Sequence, residues 1–248
     1  MKAVVSRLSI VLIKLLTRIL ARVEVIGRQN VPLTGAGILV TNHVNAVEPL
    51  LLYTVLPRHI TALSKIELWD SPITGLIATS LGAIPLKRGQ LDVGAIRQAL
   101  RVLEAGGMMG VAPEGTRSRH GRLQRGQPGV VLLALRVPHA LIVPVAVSGQ
   151  EHLAANVLKL RRTPIRMVFG QGFYVDDLGQ RASHELRQRI VDEIMMQIAA
   201  LLPVENRGVY HELQGATERH LRFPPGTKSN LASTMDPVKA HDRPEVQQ

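Results

Sequence analysis

Residues 92–112 read DVGAIRQALRVLEAGGMMGVA, and this stretch decides the fold class. Asp92 is a suitable N-cap for a helix over residues 93–105, because its carboxylate accepts hydrogen bonds from the free backbone N–H groups of a first turn. The glycines at 106 and 107 end that helix. The apolar run 108–112 then predicts a buried strand. The stretch is therefore a helix followed at once by a strand.

The same alternation extends toward both ends of the chain. Short apolar runs predict further strands at residues 23–26, 37–41, 60–64, 83–87, 141–147 and 165–169. Further helices are predicted at residues 49–56, 72–81, 130–136 and 184–202. Alternation of this kind is typical of an α/β fold. Since neither a repeat nor a linker interrupts it, the sequence predicts a single domain with a mixed, largely parallel sheet flanked by helices.

Composition narrows the class of function. The chain has 30 Lys and Arg against 19 Asp and Glu, and a net charge of +11 attracts phosphates, nucleic acid or anionic lipid. It contains no cysteine, which excludes disulfides, a thiolate nucleophile and cysteine-ligated metal centres. Aromatic residues make up only 3% of the chain, which argues against binding single-stranded nucleic acid by base stacking.

Residues 1–22 predict an amphipathic helix. Lys14 and Arg18 interrupt its apolar run, so that a membrane-spanning helix and a cleaved signal peptide both fit poorly. On a helical wheel the cations fall within a stripe roughly 80° wide, and leucines cover much of the remainder. Such a helix lies in a membrane interface or packs on its own domain, and the pattern is compatible with both interpretations.

The other end of the chain has a different character. From about residue 223 prolines recur and apolar periodicity vanishes. A segment that buries little apolar surface does not offset the entropy lost on ordering. We therefore expect a C-terminal extension over residues 206–248 that is largely disordered from about residue 223.

The first candidate site is the loop VTNHVNAVEP at residues 40–49. Pro49 suits the first turn of a helix, which leaves His43 in the loop before it. From a loop, His43 and Glu48 can face each other, so that the imidazole takes a proton from a hydroxyl while the carboxylate orients the ring. In the alternative interpretation, Glu48 interacts with the helix N-terminus and His43 fills a polar turn.

Two further loops carry cations. The first, GAIPLKRG at residues 82–89, ends a strand with Lys87 and Arg88. The second, VAPEGTRS at residues 111–118, holds a glycine that allows close backbone approach, a hydroxyl at Thr116 and a planar guanidinium at Arg117 that suits a phosphate. Taken singly, each is also compatible with an ordinary solvated basic turn.

Together these blocks resemble the glycerolipid acyltransferases, in particular the bacterial 1-acylglycerol-3-phosphate (lysophosphatidic acid) acyltransferases. The family's Asn-His-x4-Asp block is matched by Asn42, His43 and Glu48. Its arginine-ending second block is matched by residues 82–88, its Phe-Pro-Glu-Gly-Thr-Arg-Ser block by residues 112–118, and its proline-containing strand by residues 142–146. The resemblance covers roughly residues 15–205.

The resemblance implies a glycerol-3-phosphate acyltransferase-like fold, with the acyltransferase domain over residues 23–205. It implies transfer of an acyl group from acyl-CoA or acyl-carrier protein, as co-substrate, to the free hydroxyl of lysophosphatidic acid, giving phosphatidic acid without a cofactor or metal. His43 is then the base and Glu48 its orienter. The acceptor is bound by Asn42, Arg88, Glu114, Gly115, Thr116 and Arg117.

The same resemblance favours the membrane interpretation of residues 1–22, because the acceptor resides in a bilayer. It implies a peripheral protein on the cytoplasmic face of the cell membrane, with an anionic lipid surface and no nucleic acid as partner. The family's aspartate is Glu48 here, one methylene longer, which leaves an alternative open. In this alternative, the chain is a membrane-associated lipid-binding homologue with weakened or lost catalysis. Nucleic-acid binding leaves the order of the blocks unexplained.

Overall fold

The computed structural model describes residues 2–45, 47–87, 89, 92–118, 120–176 and 182–235. The strands are β1 (Ala21–Ile26), β2 (Gly37–Thr41), β3 (Thr61–Lys65), β4 (Ile84–Leu86), β5 (Met108–Val111), β6 (Leu141–Ser148), β7 (Thr163–Phe169), β8 (Tyr174–Val175) and β9 (Leu221–Arg222). The α-helices are α1 (Lys2–Leu20), α2 (Val47–Val55), α3 (Pro72–Ser80), α4 (Val93–Glu104), α5 (Gly129–Arg136), α6 (Leu153–Leu158), α7 (His184–Leu201) and α8 (Asn230–Met235).

Seven strands form the main sheet, in the order β1-β7-β6-β2-β5-β3-β4. All neighbouring pairs are parallel except β6 and β7, which are antiparallel. Strands β1 and β7 therefore run opposite to the other five. As a result, their amino ends lie at the same edge of the sheet as the carboxyl ends of β2, β5 and β6, and we call this edge the catalytic edge.

Both faces of the sheet are covered, as the apolar strands require. Along β2, Ile38 and Val40 pack with α4, α5 and α7 on one face, while Leu39 packs with α2 on the other. All three side chains are fully buried. The alternation follows from the two-residue period of a strand. The predicted α/β class, with a mixed and mostly parallel sheet between helices, is confirmed.

The helix and strand of residues 92–112 form as predicted, because their local signals are strong. The side chain of Asp92 accepts a hydrogen bond from the Ala95 N–H, and Gly106 has the positive φ of 74° typical of a helix end. Elements that the sequence did not predict are the short ones, α6, β8, β9 and α8. Two to six residues carry too little periodicity to be recognised.

The segment after α7 differs from its prediction up to residue 235. Leu221 pairs with Val175, and the ring of Phe223 lies 5.6 Å from that of Phe173. Helix α8 packs on α7 and buries Leu231. Contacts with the rest of the domain order a segment whose own composition predicts disorder. Residues 236–248 lie outside the described part of the chain.

Helix α1 packs on α2 and α3 in an unusual orientation. Ser9 lies on its domain-facing side, with its hydroxyl 3.4 Å from that of Ser80. Six large apolar side chains face outward, with exposed fractions of 46–64%. They are Leu8, Val11, Leu12, Leu15, Leu16 and Ile19, and we call them the α1 stripe. Among the described residues, no helix is long and apolar enough to cross a bilayer.

Candidate active site

The candidate site lies at the catalytic edge, where β2, β5 and β6 end beside one another. The loop after β2 contains Asn42 and His43, and the loop after β5 contains Glu114. Ligands of α/β sheets bind outside such strand ends, since the connections there leave a crevice. The two loops are hydrogen-bonded to each other through the backbone, where the Ser118 N–H donates to the His43 carbonyl at 2.7 Å.

Asn42 holds the end of β2 against β6. Its side-chain amide donates to the carbonyl of Val147, and its side-chain carbonyl accepts from the N–H of Val147, both at 2.8 Å. The side chain is buried and makes one bond in each direction, which requires the donor and acceptor of an amide. Asn42 therefore positions the start of the loop that carries His43.

His43 and Glu48 are brought together, as the sequence predicts. Nδ1 of His43 lies 3.6 Å from Oε2 of Glu48. The imidazole is 11% exposed and the carboxylate 0%, so that the ring lies between the carboxylate and the solvent-accessible side of the site. This order suits a base whose outer nitrogen meets a substrate while its inner nitrogen is held.

Glu48 also interacts with the turn that precedes α2, so both interpretations of this residue describe part of its environment. Its Oε1 accepts from the N–H groups of Val44 at 2.7 Å and Asn45 at 3.0 Å. It accepts a further bond from Nε2 of Gln150 at 3.2 Å. Buried carboxylate oxygens need such donors, because an unpaired polar group is costly to bury. The longer side chain of glutamate thus occupies a fully bonded position behind His43.

Glu114 connects the two loops. Its Oε1 accepts from the backbone N–H of His43 and its Oε2 from that of Gln124, both at 2.8 Å. The residue is only 3% exposed. The sequence predicts Glu114 as part of the acceptor site, and this role stays a prediction. In the structure its two oxygens accept hydrogen bonds from backbone groups. The geometry gives it the role of holding His43 in place.

Burial raises the pKa of Glu114 from 4.5 to about 7, against the opposing effect of the backbone N–H groups of Gln124 and His43. Between these two pH values the folded protein keeps a proton that the unfolded chain releases, so stability falls as pH rises through this window. We expect Glu114→Gln to remove this pH dependence. Across the window it changes the free energy of unfolding by about 3 kcal/mol.

Urea unfolding from pH 5 to pH 8 measures the slope for the wild type and for Glu114→Gln. The exposed residue Glu212 offers the matched control, because Glu212→Gln removes a carboxylate from solvent. Equal slopes in the wild type and in Glu114→Gln would show that Glu114 does not carry this proton.

The remaining predicted residues of this loop are accessible. Gly115, Thr116 and Arg117 are exposed, and Gly115 has a φ of 70°, a left-handed conformation that favours glycine. The turn is closed by a hydrogen bond from the Gly115 N–H to the carbonyl of Ala112 at 3.0 Å. The roles of these three residues in acceptor binding stay predictions, and Arg88 lies outside the described residues.

Two cavities meet at this edge. The first, about 290 Å³, is an apolar cleft between α2, α3 and β3, and its lining includes His43, Tyr53, Lys65 and Arg117. Burial raises the pKa of the Tyr53 hydroxyl to about 12, so the phenol stays neutral. The second cavity, about 710 Å³, lies on the other side of the 112–118 loop. Its lining includes Thr116 and is more polar than that of the first cavity. His43 thus lines the apolar cleft.

Sequence reasoning missed two residues of the site, Gln150 and Gln124. Gln150 follows the carboxyl end of β6, which neighbours β2, and this position is the only signal that points to it. Gln124 contributes its backbone N–H, which no sequence pattern identifies. Within the described ranges, His, Asp and Glu side chains form no group of three that suits a metal ion.

The geometry agrees with the comparison to known families. A sequence model of the Acyltransferase family matches residues 22–148, which cover the chain from β1 to β6 and include Asn42, His43, Glu48 and Glu114. The chain belongs to the acyltransferase family.

Several relatives carry a more specific name. The chain is 28% identical over 159 residues to the 1-acyl-sn-glycerol-3-phosphate acyltransferase of Borreliella burgdorferi, covering 61% of this chain and 64% of that protein. It is 30% identical over 145 residues to the protein of the same name from Limnanthes douglasii, covering 56% and 51%. The chain thus spans less than two thirds of the length of these two relatives.

A further protein of that name, from Bacillus subtilis, is 22% identical over 191 residues, which cover 76% of this chain and 92% of the relative. Among solved structures, the 1-acyl-sn-glycerophosphate acyltransferase of Thermotoga maritima matches with a TM-score of 0.56 and 22% identity, covering 76% of each chain. This likeness concerns the fold.

Proposed function

We propose that the chain transfers a fatty acyl group to the free hydroxyl of lysophosphatidic acid and so produces phosphatidic acid. The observation that carries the proposal is the position of His43, whose ring lines an apolar cleft and has the buried carboxylate of Glu48 behind it. The names of the relatives from Borreliella burgdorferi and Bacillus subtilis support the same reaction.

The proposed reaction is a direct attack on a thioester. An alcohol is a weak nucleophile near neutral pH, so His43 removes its proton as the oxygen attacks the thioester carbonyl. The carbon–oxygen ester bond forms and the carbon–sulfur bond breaks. The proton then passes from the imidazolium to the departing thiolate, while Glu48 stabilises the positive charge of the ring.

The cleft beside His43 offers surfaces that suit both proposed substrates. The apolar lining of the first cleft suits an acyl chain. Arg117, which lines the same cleft, and Arg88 are the proposed partners of the acceptor phosphate, since a guanidinium binds phosphate through paired hydrogen bonds. Acyl-CoA and acyl-carrier protein present the same phosphopantetheine thioester, and we propose that one of them is the donor.

The test is thiol release by the purified protein, supplied with palmitoyl-CoA or palmitoyl-carrier protein, with and without lysophosphatidic acid. Because the chain has no cysteine, every thiol detected in the CoA reaction comes from the donor. We expect release that depends on the acceptor and matches the phosphatidic acid formed. No release with either donor, from a protein that still binds lipid vesicles, would favour the lipid-binding alternative.

We also propose that the protein is peripheral to a membrane and contacts it through the α1 stripe. The support is the orientation of α1, which leaves the six apolar side chains of the α1 stripe 46–64% exposed while the side that includes Ser9 faces the domain. Arg7, Lys14 and Arg18 are exposed on the same helix and suit the phosphates of anionic lipids. Such a helix brings the site to the surface in which the proposed acceptor resides.

We expect Leu12→Glu combined with Leu16→Glu to weaken binding to phosphatidylglycerol vesicles at least tenfold. The exchange removes two leucines, each contributing roughly 2 kcal/mol when buried, and adds two charges that repel anionic lipid. Vesicle co-sedimentation measures the effect. Leu33 is 70% exposed and precedes the amino end of β2, at the opposite edge of the sheet, so Leu33→Glu is the matched control. Unchanged binding of the double variant would exclude α1 as the contact.

A further inference from the structure

In addition to α1, a second apolar projection lies at the end of α6 and in the turn that connects α6 to β7. Residues 157–162 read VLKLRR, and we call them the hook. Leu158 is 86% exposed and Leu160 is 97% exposed, more than any residue of the α1 stripe. The charged residues of the hook, Lys159, Arg161 and Arg162, are exposed as well. Leucines and cations therefore alternate along one protruding turn.

The hook has a defined conformation. Leu160 has a φ of 51°, and it is the one non-glycine residue with a positive φ in the described part of the chain. A bulky side chain disfavours this conformation, so the surrounding structure must impose it. The Arg161 N–H donates to the Asn156 carbonyl at 2.9 Å, and the side chain of Asn156 donates to the Thr163 hydroxyl at 3.2 Å. These bonds hold Leu160 in solvent, where it gains no contact that compensates for the strain.

The topology puts the hook at the catalytic edge and beside α1. Ser148, the last residue of β6, pairs with Arg166, and β7 starts three residues earlier at Thr163. The start of β7 therefore extends past the carboxyl end of β6. Thr163 also pairs with Ala21, and Arg162 donates to the Ala21 carbonyl at 2.7 Å, one residue after α1 ends.

The charges around the hook favour an anionic partner. Arg22, next to Ala21, is exposed and adds a further cation to the three of the hook. The nearest acidic residue on β1, Glu24, pairs with Arg166 at 3.6 Å rather than with the hook. Exposed leucines flanked by cations fit the boundary between the headgroups and acyl chains of an anionic bilayer.

We infer that the hook is a second membrane contact, in which Leu158 and Leu160 insert among the acyl chains and the cations bind lipid phosphates. With α1 it supports the catalytic edge on the bilayer at two places, and this fixes the orientation of the site toward the lipid. The inference rests on the proposed membrane association of the chain.

A single cysteine provides the direct test, because the natural chain has none. Leu160→Cys and Leu33→Cys are labelled with an environment-sensitive fluorophore and mixed with phosphatidylglycerol vesicles that carry a quencher in the acyl chains. We expect quenched emission for the label at position 160 and unchanged emission at position 33. If the protein binds the vesicles but the label at position 160 is not quenched, the proposed insertion of the hook is overturned, whereas the proposed contact through α1 is not.

The second test is vesicle affinity. Leu158→Ser combined with Leu160→Gly removes both side chains, and glycine at position 160 suits the positive φ, so the fold is preserved. We expect about tenfold weaker binding to phosphatidylglycerol vesicles and retained thiol release with detergent-dispersed lysophosphatidic acid. Failure of the unmodified protein to bind vesicles would overturn both the proposed insertion of the hook and the proposed membrane association of the chain. A dimer in solution that the double variant disrupts would assign the hook to a second copy of the chain instead.

Discussion

His43→Ala is expected to lower acceptor-dependent thiol release by at least a hundredfold. A positioned general base contributes about 10²–10⁴ to a rate, and alanine offers no group to take the proton of the acceptor hydroxyl. The fold should survive the exchange, because His43 is held through its backbone N–H, which donates to Glu114, and through its carbonyl, which accepts from Ser118. The loss should therefore appear in kcat while the thermal unfolding temperature stays close to that of the wild type.

His139 provides the matched control. It is exposed and precedes the amino end of β6, at the edge of the sheet opposite to the site. His139→Ala should leave thiol release unchanged in the same assay. Activity of His43→Ala within a few-fold of the wild type would show that another group is the base.

Glu48→Gln is the second large effect, and we expect kcat to fall on the order of a hundredfold or more. The neutral amide no longer stabilises the imidazolium of His43, whose Nδ1 lies 3.6 Å from the carboxylate. The backbone N–H groups of Val44 and Asn45 each donate to an oxygen of Glu48. In the variant one of these oxygens is replaced by an amide NH2 group, which cannot accept a hydrogen bond. Unsatisfied buried groups of this kind cost about 1–3 kcal/mol each, so urea unfolding should show a loss of stability as well.

Glu48→Asp separates an active enzyme from a homologue with weakened catalysis. The carboxylate of aspartate is one methylene shorter and retreats from the bonds that Glu48 makes with the turn and with Gln150. We therefore expect activity to fall roughly a hundredfold, as a displacement of about 1 Å can cause. A large gain in thiol release would instead support the alternative, in which glutamate has replaced a better aspartate. Gln150→Glu, which sets a second carboxylate against the first, should also lower activity.

The fold was predictable because its signals are local. The run 92–112 carries its own cap, helix end and strand, and the confirmed α/β class follows from its repetition. The orientation of α1 was not predictable, since the same leucines suit a helix that faces its domain and a helix that faces lipid. In the structure α1 packs on α2 and α3 through a face that contains Ser9, and this leaves the α1 stripe exposed.

The candidate site was predictable to the extent that its residues lie in one loop. His43 and Glu48 are five positions apart, and the geometry of a strand end is enough to bring them together. Acceptor binding by Glu114 stays a prediction, and the sequence did not identify its partners in the structure, the backbone N–H groups of His43 and Gln124. The partners of a carboxylate depend on the tertiary structure, and its spacing from other polar residues does not identify them.

The reversed direction of β1 and β7 shortens the distance between the end of α1 and His43. If β1 ran parallel to β2, the end of α1 would lie at the far edge of the sheet. Five strand residues span roughly 17 Å, which is more than half the thickness of the hydrocarbon layer of a bilayer. A lipid acceptor would then have to be lifted out of the membrane by that length before it met His43. For the proposed membrane contact and lipid acceptor, the reversal of β1 and β7 shortens this displacement, so that the polar headgroup reaches His43 while most of the acyl chain stays in the bilayer.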